Sequence, residues 1–225
     1  MQWQTSRFNI DLHRAQVMGI VNVTPDSFSD GGQHAELSSA VSHAERLLVD
    51  GADILDIGGE STRPGSPAVP LDEELARVLP VVREAVKLGV PISVDTYKPE
   101  VMARVLDLGA DIINDIWALR QGEAMGVVAA HPDCGVCLMH MHRDPQTMQV
   151  APMSGDAVEA VCAFLRQRAS VLEARGVDAA RIALDPGIGF GKTVAQNFAL
   201  LREQAQLLSL GYPVLAGWSR QSSFG

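Results

Sequence analysis

The sequence has little of what marks secreted, membrane or nucleic-acid-binding proteins. Three of its 225 residues are cysteine, an odd number that supplies no disulfide framework. Its 27 Asp and Glu outnumber 18 Lys and Arg, and a formal net charge of −9 argues against nucleic acid or anionic membranes as main partners. No apolar run approaches membrane-spanning length, and "MQWQTSRFNID" lacks a signal-peptide pattern. We therefore expect a soluble, cytoplasmic protein.

The sequence does have a hydrophobic content of 47%, which is enough for a sizeable core. Its apolar residues follow two kinds of pattern that alternate along the chain. Short apolar runs, typical of parallel strands covered on both faces, alternate with amphipathic helical patterns. The predicted strands are 17–23, 53–58, 91–95, 111–115, 135–140, 181–185 and 213–217. The second helical pattern contains Pro80, which is expected to kink it.

This alternation of seven β runs and six helical patterns indicates repeated βα units. A (β/α)8 barrel and an open doubly wound sheet both fit. The similar length of the units and the lack of an obvious switch point favour an α/β fold of the TIM (β/α)8-barrel type. No low-complexity linker divides residues 1–225, so we expect one domain, with an N-terminal hairpin at about 2–16 and with the eighth strand and last helices absent.

Polar residues follow nearly every predicted strand at its C-terminal end, the face on which α/β folds build their sites. A single aspartate there is usually a helix cap or turn residue, but contributions from seven strands imply a funnel lined with hydrogen-bonding groups. Such a funnel suits a heterocycle with several donors and acceptors. The residues are Asn22, Asp56, Glu60, Asp95, Asn114, Asp115, His140, Asp185, Ser219 and Arg220.

Two polar, Gly- and Pro-containing loops follow the first two barrel strands: "TPDSFSDGG" (24–32) and "ESTRPGSPAVP" (60–70). Loops of this composition often cover substrates. Arg63 can hold a phosphate bidentately, and Ser61 and Thr62 can donate hydrogen bonds to it. The alternative is that both are ordinary surface loops.

The segment "LDPGIGFGKT" (184–193) resembles a phosphate loop but has Pro186 where the Walker pattern needs glycine. We interpret it as a backbone-rich turn that shapes a pocket against Phe190. The alternative is a simple strand-to-helix turn with Lys192 in solvent.

The segment "CGVCLMHMH" (134–142) has the residue types of a metal site. On a strand, Cys134 and Cys137 would face opposite sides, so they could not chelate one ion together. Buried cysteines and strand-end histidines are therefore favoured over zinc, and Met139 is a plausible soft wall for a flat ring.

Together these motifs resemble the dihydropteroate synthase family of pterin-binding enzymes. The segments "MGIVNVTPDSFSDGG", "GADILDIGGESTRPG", "PISVDTYKPEV", "DIINDI", "LMHM", "LDPGIGFGKT" and "SRQSSFG" occur in the family's order from about residue 17 to the end. The resemblance implies a TIM barrel and a folate-pathway transferase. Such enzymes join p-aminobenzoate to 6-hydroxymethyl-7,8-dihydropterin pyrophosphate, release pyrophosphate, are sulfonamide targets and form homodimers.

The resemblance also implies residue roles. Asn22 would ligate Mg2+ on the pyrophosphate, which Thr62 and Arg63 would also bind. Asp95 would stabilise the cation left when pyrophosphate departs, and Arg63 would neutralise the leaving group. The other implied substrate-binding residues are Asn114, Asp185 and Met139 around the pterin, Pro64 and Phe190 beside p-aminobenzoate, and Ser219, Gln221 and Ser222 in the last segment.

The chain departs from the family in two places. Gln221 stands where the family has a lysine between the two substrates, and losing a charge-assisted bond of about 1.5–3 kcal/mol would weaken pterin binding by roughly one to two orders of magnitude. The chain also ends at Gly225, before the family's last strand, so we expect a fragment. A catalytically impaired pterin-binding fragment is therefore one alternative. A methyltetrahydrofolate methyltransferase on the same barrel is another, which the two phosphate-suited loops disfavour.

Overall fold

A computed structural model of the protein describes residues 1–23, 32–62, 66–144, 147–148 and 152–218. The strands are β1 (Gln2–Gln4), β2 (Asn9–Asp11), β3 (Met18–Asn22), β4 (Ile54–Gly58), β5 (Ile92–Asp95), β6 (Ile112–Asp115), β7 (Gly135–Met139) and β8 (Ile182–Asp185). The helices are α1 (Gly32–Val49), α2 (Leu71–Ala85), α3 (Pro99–Asp107), α4 (Ala124–Ala130), α5 (Ala157–Glu173), α6 (Val194–Arg202) and α7 (Gln204–Leu208). Two 3-10 turns lie at Val86–Leu88 and Ala179–Arg181.

Strands β3 to β8 form one parallel sheet in which every strand pairs with the next one in the chain. A doubly wound sheet would need a reversal of strand order, so the order confirms the TIM-barrel interpretation. The seventh predicted strand, 213–217, is wrong in extent: Val214 forms only an isolated parallel bridge to Leu184. Within the described ranges no eighth parallel strand follows it.

The helices follow the predicted apolar faces. In α1, Ala40 and Ala44 are buried, and in α5 the N-cap Asp156 accepts hydrogen bonds from two backbone N–H groups of the first turn. Helix α2 continues through Pro80 to Ala85, so the proline does not end it. The apolar faces of the helices pack against the outward side chains of the strands. Together they form the largest apolar cluster among the described residues.

The inward side chains divide the barrel interior into two levels. Toward the hairpin the interior is apolar, and there Ile112, Cys137 and Ala183 pack with Trp3 and Ile10. The last two belong to the β1–β2 hairpin, predicted at 2–16, which pairs antiparallel and covers this end of the barrel. At the carboxyl ends the inward residues are polar, and it is this level that carries the candidate site.

Two charged side chains tie the hairpin end together. Asp111, fully buried, accepts hydrogen bonds from Arg7 Nε at 3.0 Å and from the backbone N–H of Ile92 at 2.8 Å, and it forms an ion pair with Arg7 Nη2 at 2.6 Å. Arg181, also buried, donates to the carbonyls of Pro132 and Cys134, each at 2.8 Å.

In the part of the chain described here, no helix is long and apolar enough to span a membrane.

Candidate active site

Four neighbouring strands place their inward residues at one level near their carboxyl ends. The register pairs Asn22 with Gly58, Gly58 with Asp95, and Asp95 with Asn114. Because side chains alternate along a strand, residues matched in this way point to the same side of the sheet. The fold therefore brings three of the predicted site residues to one level of the barrel interior.

On the next two strands the matched pair is Met139 on β7 and Asp185 on β8, close to the same end. Asp185 is buried, and its Oδ1 accepts the backbone N–H of Gly187 at 2.7 Å. Asn22, Asp95, Asn114, Met139 and Asp185 thus lie near the carboxyl ends of five different strands.

The carboxyl groups in this ring sit in an environment that disfavours their charge. Burial, with a further contribution from Asp56, raises the pKa of Asp95 well above its ordinary value. Burial also raises the pKa of Asp185 to about 6, although the Gly187 N–H and Lys192 oppose that rise. Among the described residues no ion pair holds either group. Perturbed carboxyls in a cleft are a mark of functional sites.

Asp56 is a further buried carboxyl of the site, one inward step below Asp95 and Asn114, to which the family resemblance assigns no role. Its Oδ2 accepts a hydrogen bond from Asn114 Nδ2 at 3.2 Å, while its Oδ1 is buried without a hydrogen-bond partner in the described chain. The sequence did carry a signal for it, because Asp56 was counted among the polar strand ends.

One wall of the site is apolar. Met139 is buried, and Phe190 packs against the cluster that contains it. An apolar wall beside hydrogen-bonding groups is the ordinary make-up of a site for a small flat ligand. The other members of the cluster are Tyr97, Ile116, Trp117, Met141 and Met148.

The segment after β8 is the backbone-rich turn that the sequence predicted. Gly187 has a φ of +64°, and a Cβ there would lie 2.0 Å from the carbonyl oxygen of His140, so only glycine fits. Lys192 Nζ donates to the carbonyls of Gly187 at 2.7 Å, Phe190 at 3.1 Å and His140 at 3.2 Å. The alternative of a solvated Lys192 is wrong, because 4% of this side chain is exposed and burial lowers its pKa to about 7.

At the rim, a small ionic network joins the loops after β4 and β5. Lys98 pairs with both Glu60 and Glu74. Tyr97 donates its hydroxyl to Glu60 at 2.9 Å, and Thr96 donates its hydroxyl to Glu74 at 2.7 Å. The sequence predicts Glu60 as a polar strand end but not its partners Tyr97 and Lys98, because they come from the loop after another strand.

Two of the polar strand ends do not belong to the site. Asp115 is turned toward its own connecting turn, where it accepts the N–H groups of Trp117 and Leu119, each at 2.8 Å. His140 is buried against Phe164, with ring centroids 5.0 Å apart, and burial lowers its pKa to about 3. His140 is therefore a neutral packing residue at physiological pH.

The metal reading of "CGVCLMHMH" gains no support from the geometry. Cys134 and Cys137 belong to different apolar clusters, as their positions on a strand predicted. Across the described ranges, no three His, Cys, Asp or Glu side chains converge as a metal site.

The remaining candidates are at the rim or outside the described residues. Asn22 is exposed at the end of β3, and Thr62 is half-buried after β4. The predicted roles of five residues lie outside the described ranges and stay predictions: Arg63, Pro64, Ser219, Gln221 and Ser222.

Comparison with known proteins shows that the chain is similar to the members of one enzyme family. The sequence profile of the family described as "Pterin binding enzyme" matches residues 18–225. The dihydropteroate synthase of Neisseria meningitidis serogroup C is 49% identical in an alignment 226 positions long that covers 99% of this chain and 80% of that protein. Dihydropteroate synthase of Xanthomonas albilineans, solved with 4-aminobenzoic acid, superposes with a TM-score of 0.88 at 51% identity over 96% of this chain and 77% of that one. The Burkholderia cenocepacia enzyme, solved with 7,8-dihydropteroate, gives 0.87 at 48% identity over 100% and 79%.

Proposed function

The chain belongs to the pterin binding enzyme family, and we propose that it is a dihydropteroate synthase, a transferase of folate biosynthesis. The observation that carries this proposal is the set of inward polar groups of Asp95, Asn114 and Asp185, beside the apolar wall of Met139 and Phe190. These groups offer hydrogen bonds at the edge of a flat heterocycle and an apolar surface for its face.

In the proposed reaction the carbon–oxygen bond of dihydropterin pyrophosphate breaks, and the electron pair leaves with pyrophosphate. The exocyclic carbon is left as a cation conjugated with the pterin ring. The amine nitrogen of p-aminobenzoate then forms the new carbon–nitrogen bond and releases a proton to solvent. The amine needs positioning more than activation, because the electrophile is already a cation.

Asp95 and Asp185 have complementary parts in this proposal. Asp185, with a pKa of about 6, is mostly ionised at pH 7 and accepts pterin N–H groups together with the Asn114 side chain. Asp95 faces the developing cation. A nearby positive charge favours the ionised form of a buried carboxyl, so the interaction strengthens as the transition state forms.

We propose that Thr62, Arg63 and Asn22 bind the pyrophosphate end of the substrate. The exposed Asn22 side chain offers one hard oxygen ligand at the carboxyl end of β3, which fits Mg2+, an ion that proteins hold with few ligands of their own plus substrate phosphates. Bound there, Mg2+ would supply positive charge to the leaving pyrophosphate. Arg63 adds a bidentate contact to the same group.

For p-aminobenzoate we propose Phe190 and Pro64 as the flanking side chains, with Ser222 at its carboxylate and Ser219 nearby. A glutamine side chain such as that of Gln221 can donate a hydrogen bond but supplies no charge. Gln221 is therefore expected to leave the site functional with a lowered affinity for the pterin substrate.

We further propose that residues 1–225 act as one domain in the cytoplasm and that the protein works as a homodimer. The family resemblance supports the dimer, and so do exposed apolar side chains on α6: Val194, Phe198 and Leu201. Light scattering on the purified protein measures its mass directly, and a monomer at micromolar concentration would contradict the dimer.

The deciding assay measures pyrophosphate release from dihydropterin pyrophosphate, p-aminobenzoate and Mg2+. The protein and its Gln221→Lys variant are compared, with Asp95→Asn as the negative control. Turnover by the unchanged protein, raised roughly 10- to 100-fold in catalytic efficiency by Gln221→Lys, supports the synthase. Binding of the pterin substrate without turnover in either form would favour the catalytically impaired pterin-binding alternative.

A further inference from the structure

Asp56 is a buried carboxyl in the candidate site that the proposed chemistry leaves without a role. Only 6% of the residue is exposed, and no ion pair holds it among the described residues. It lies one inward step below the level of Asp95 and Asn114, in register with Ser93 on β5. Burying an uncompensated carboxyl is unfavourable to folding, so a structural purpose does not explain it.

The contact that Asp56 makes is with a group that a ligand would meet. Asn114 Nδ2 donates to Asp56 Oδ2 at 3.2 Å. A primary amide has a donor edge and an acceptor edge, and rotation by half a turn about its last bond exchanges them. An ionised carboxyl only accepts hydrogen bonds, so it favours the orientation with the NH2 group toward itself and disfavours the flipped one.

We propose that Asp56 is a positioning residue that fixes the orientation of the Asn114 amide in the pterin pocket. With the NH2 group held by Asp56, the amide oxygen stays on the opposite edge as an acceptor for a ring N–H. This inference rests on the proposed function, because it assumes that the ligand at Asn114 is a pterin. It assigns Asp56 an action through Asn114 and no contact with the reacting atoms.

The electrostatics of the pocket agree with this assignment. Burial raises the pKa of Asp56, and the neighbouring Ser93 hydroxyl and the Asn114 amide oppose that rise. After burial, the charge of Asp56 is the largest cause of the raised pKa of Asp95. The ionised forms of Asp56 and Asp95 therefore disfavour each other. A bound ligand with N–H donors would relieve this repulsion.

The test replaces the acceptor-only group with one that imposes no orientation. In Asp56→Asn the new amide can present either edge to Asn114. The KM for dihydropterin pyrophosphate is expected to rise about 10-fold, while the KM for p-aminobenzoate is expected to stay within error. The midpoint of thermal unfolding is expected to stay the same or to rise. Asp56→Leu, which removes the buried charge, is expected to fold and to show the same selective rise.

The matched control is Asp107→Asn, which makes the same carboxylate-to-amide change at the exposed end of α3 and leaves the Asp56–Asn114 pair intact. Both its KM values are expected to stay within about twofold. Suppose that the wild type turns over, but that in the Asp56 variants the KM for the pterin substrate is unchanged or the two KM values rise equally. Either result overturns the positioning role and leaves the synthase proposal standing. Failure of the wild type to bind the pterin substrate by calorimetry overturns both.

Discussion

The two ends of the barrel bury the same kinds of charged residue in opposite ways. At the hairpin end, Asp111 is fully buried and is held by the guanidinium of Arg7 and the N–H of Ile92. At the carboxyl end, Asp56 and Asp185 are buried without an ion pair among the described residues. The first arrangement stabilises the native state, whereas the second stores an unfavourable interaction.

This difference indicates which end of the barrel contributes to stability and which end serves ligand binding. Removing one partner from a satisfied buried pair is destabilising, while removing a carboxyl that has none can stabilise. In TIM barrels the carboxyl ends of the strands carry the site and the amino ends serve stability. Four substitutions, in order of decreasing effect, test whether this division holds.

The largest effect is expected from Asp111→Ala at the hairpin end. It leaves the Arg7 guanidinium and the Ile92 N–H without their acceptor, and the free energy of unfolding should fall by roughly 3–5 kcal/mol. Chemical denaturation measures this loss. Asp133→Ala, which removes an exposed carboxylate, is the control and should stay within about 0.5 kcal/mol. A loss for Asp111→Ala below about 1 kcal/mol would contradict the role assigned to this end.

Asp95→Asn is expected to show the opposite behaviour at the site. Turnover should fall about 100-fold, equivalent to about 2.7 kcal/mol, because the developing cation loses its counter-charge. The free energy of unfolding should stay constant or rise, because a carboxyl whose pKa burial raises has been removed. Asp107→Asn, at the exposed end of α3, should change neither quantity. A clear loss of stability in Asp95→Asn would erase the distinction between the two ends.

Lys192 is the case that could break the comparison, because it is a satisfied buried charge at the site end. Lys192→Met removes the donor to three carbonyls, two in the turn before α6 and one just after β7, and should lower the free energy of unfolding by about 2 kcal/mol. Because Phe190 lies in that turn, the KM for p-aminobenzoate should rise as well. Lys87→Met, at an exposed ion pair with Glu84, is the control. An unchanged KM would make Lys192 purely a stability residue.

The smallest effect concerns pH. The pKa of Asp185 is about 6 in the folded protein against 3.8 in the unfolded chain, so between these values the folded state binds more protons and acidification stabilises it. From pH 7 to pH 5 the wild type should gain about 1 kcal/mol relative to Asp185→Asn. In Asp53 a hydrogen bond from Arg14 lowers the pKa, so its contribution is lost only at lower pH and Asp53→Asn should show no such difference. A flat difference for Asp185 would contradict its raised pKa.

The pattern of the sequence predicted most of the barrel. Six of the seven strand predictions match strands of the sheet, because residues apolar on both faces can only be covered between helices and a barrel interior. The seventh, 213–217, is limited to the bridge at Val214. The hairpin was also predicted, although its part in covering the barrel through Trp3 was not.

For the candidate site, position on a strand was more informative than residue type. Asp95, Asn114 and Asp185 converge because they end neighbouring strands on the inward face, which the alternation of side chains fixes. Asp115, one residue beyond Asn114, faces the other side for the same reason. The Lys98 network could not be predicted, because Glu74 reaches it from α2 and helix-to-loop contacts leave no local pattern.

The sequence by itself determined the barrel type, the face on which the site lies and the family to which the chain belongs. These follow from local periodicity and from motifs in a fixed order, which are properties of the chain. Only the tertiary structure decided which charged groups are satisfied. It gave Asp111 its arginine, buried Lys192 among carbonyls and left Asp56 with one free oxygen, since these outcomes depend on which distant segments meet.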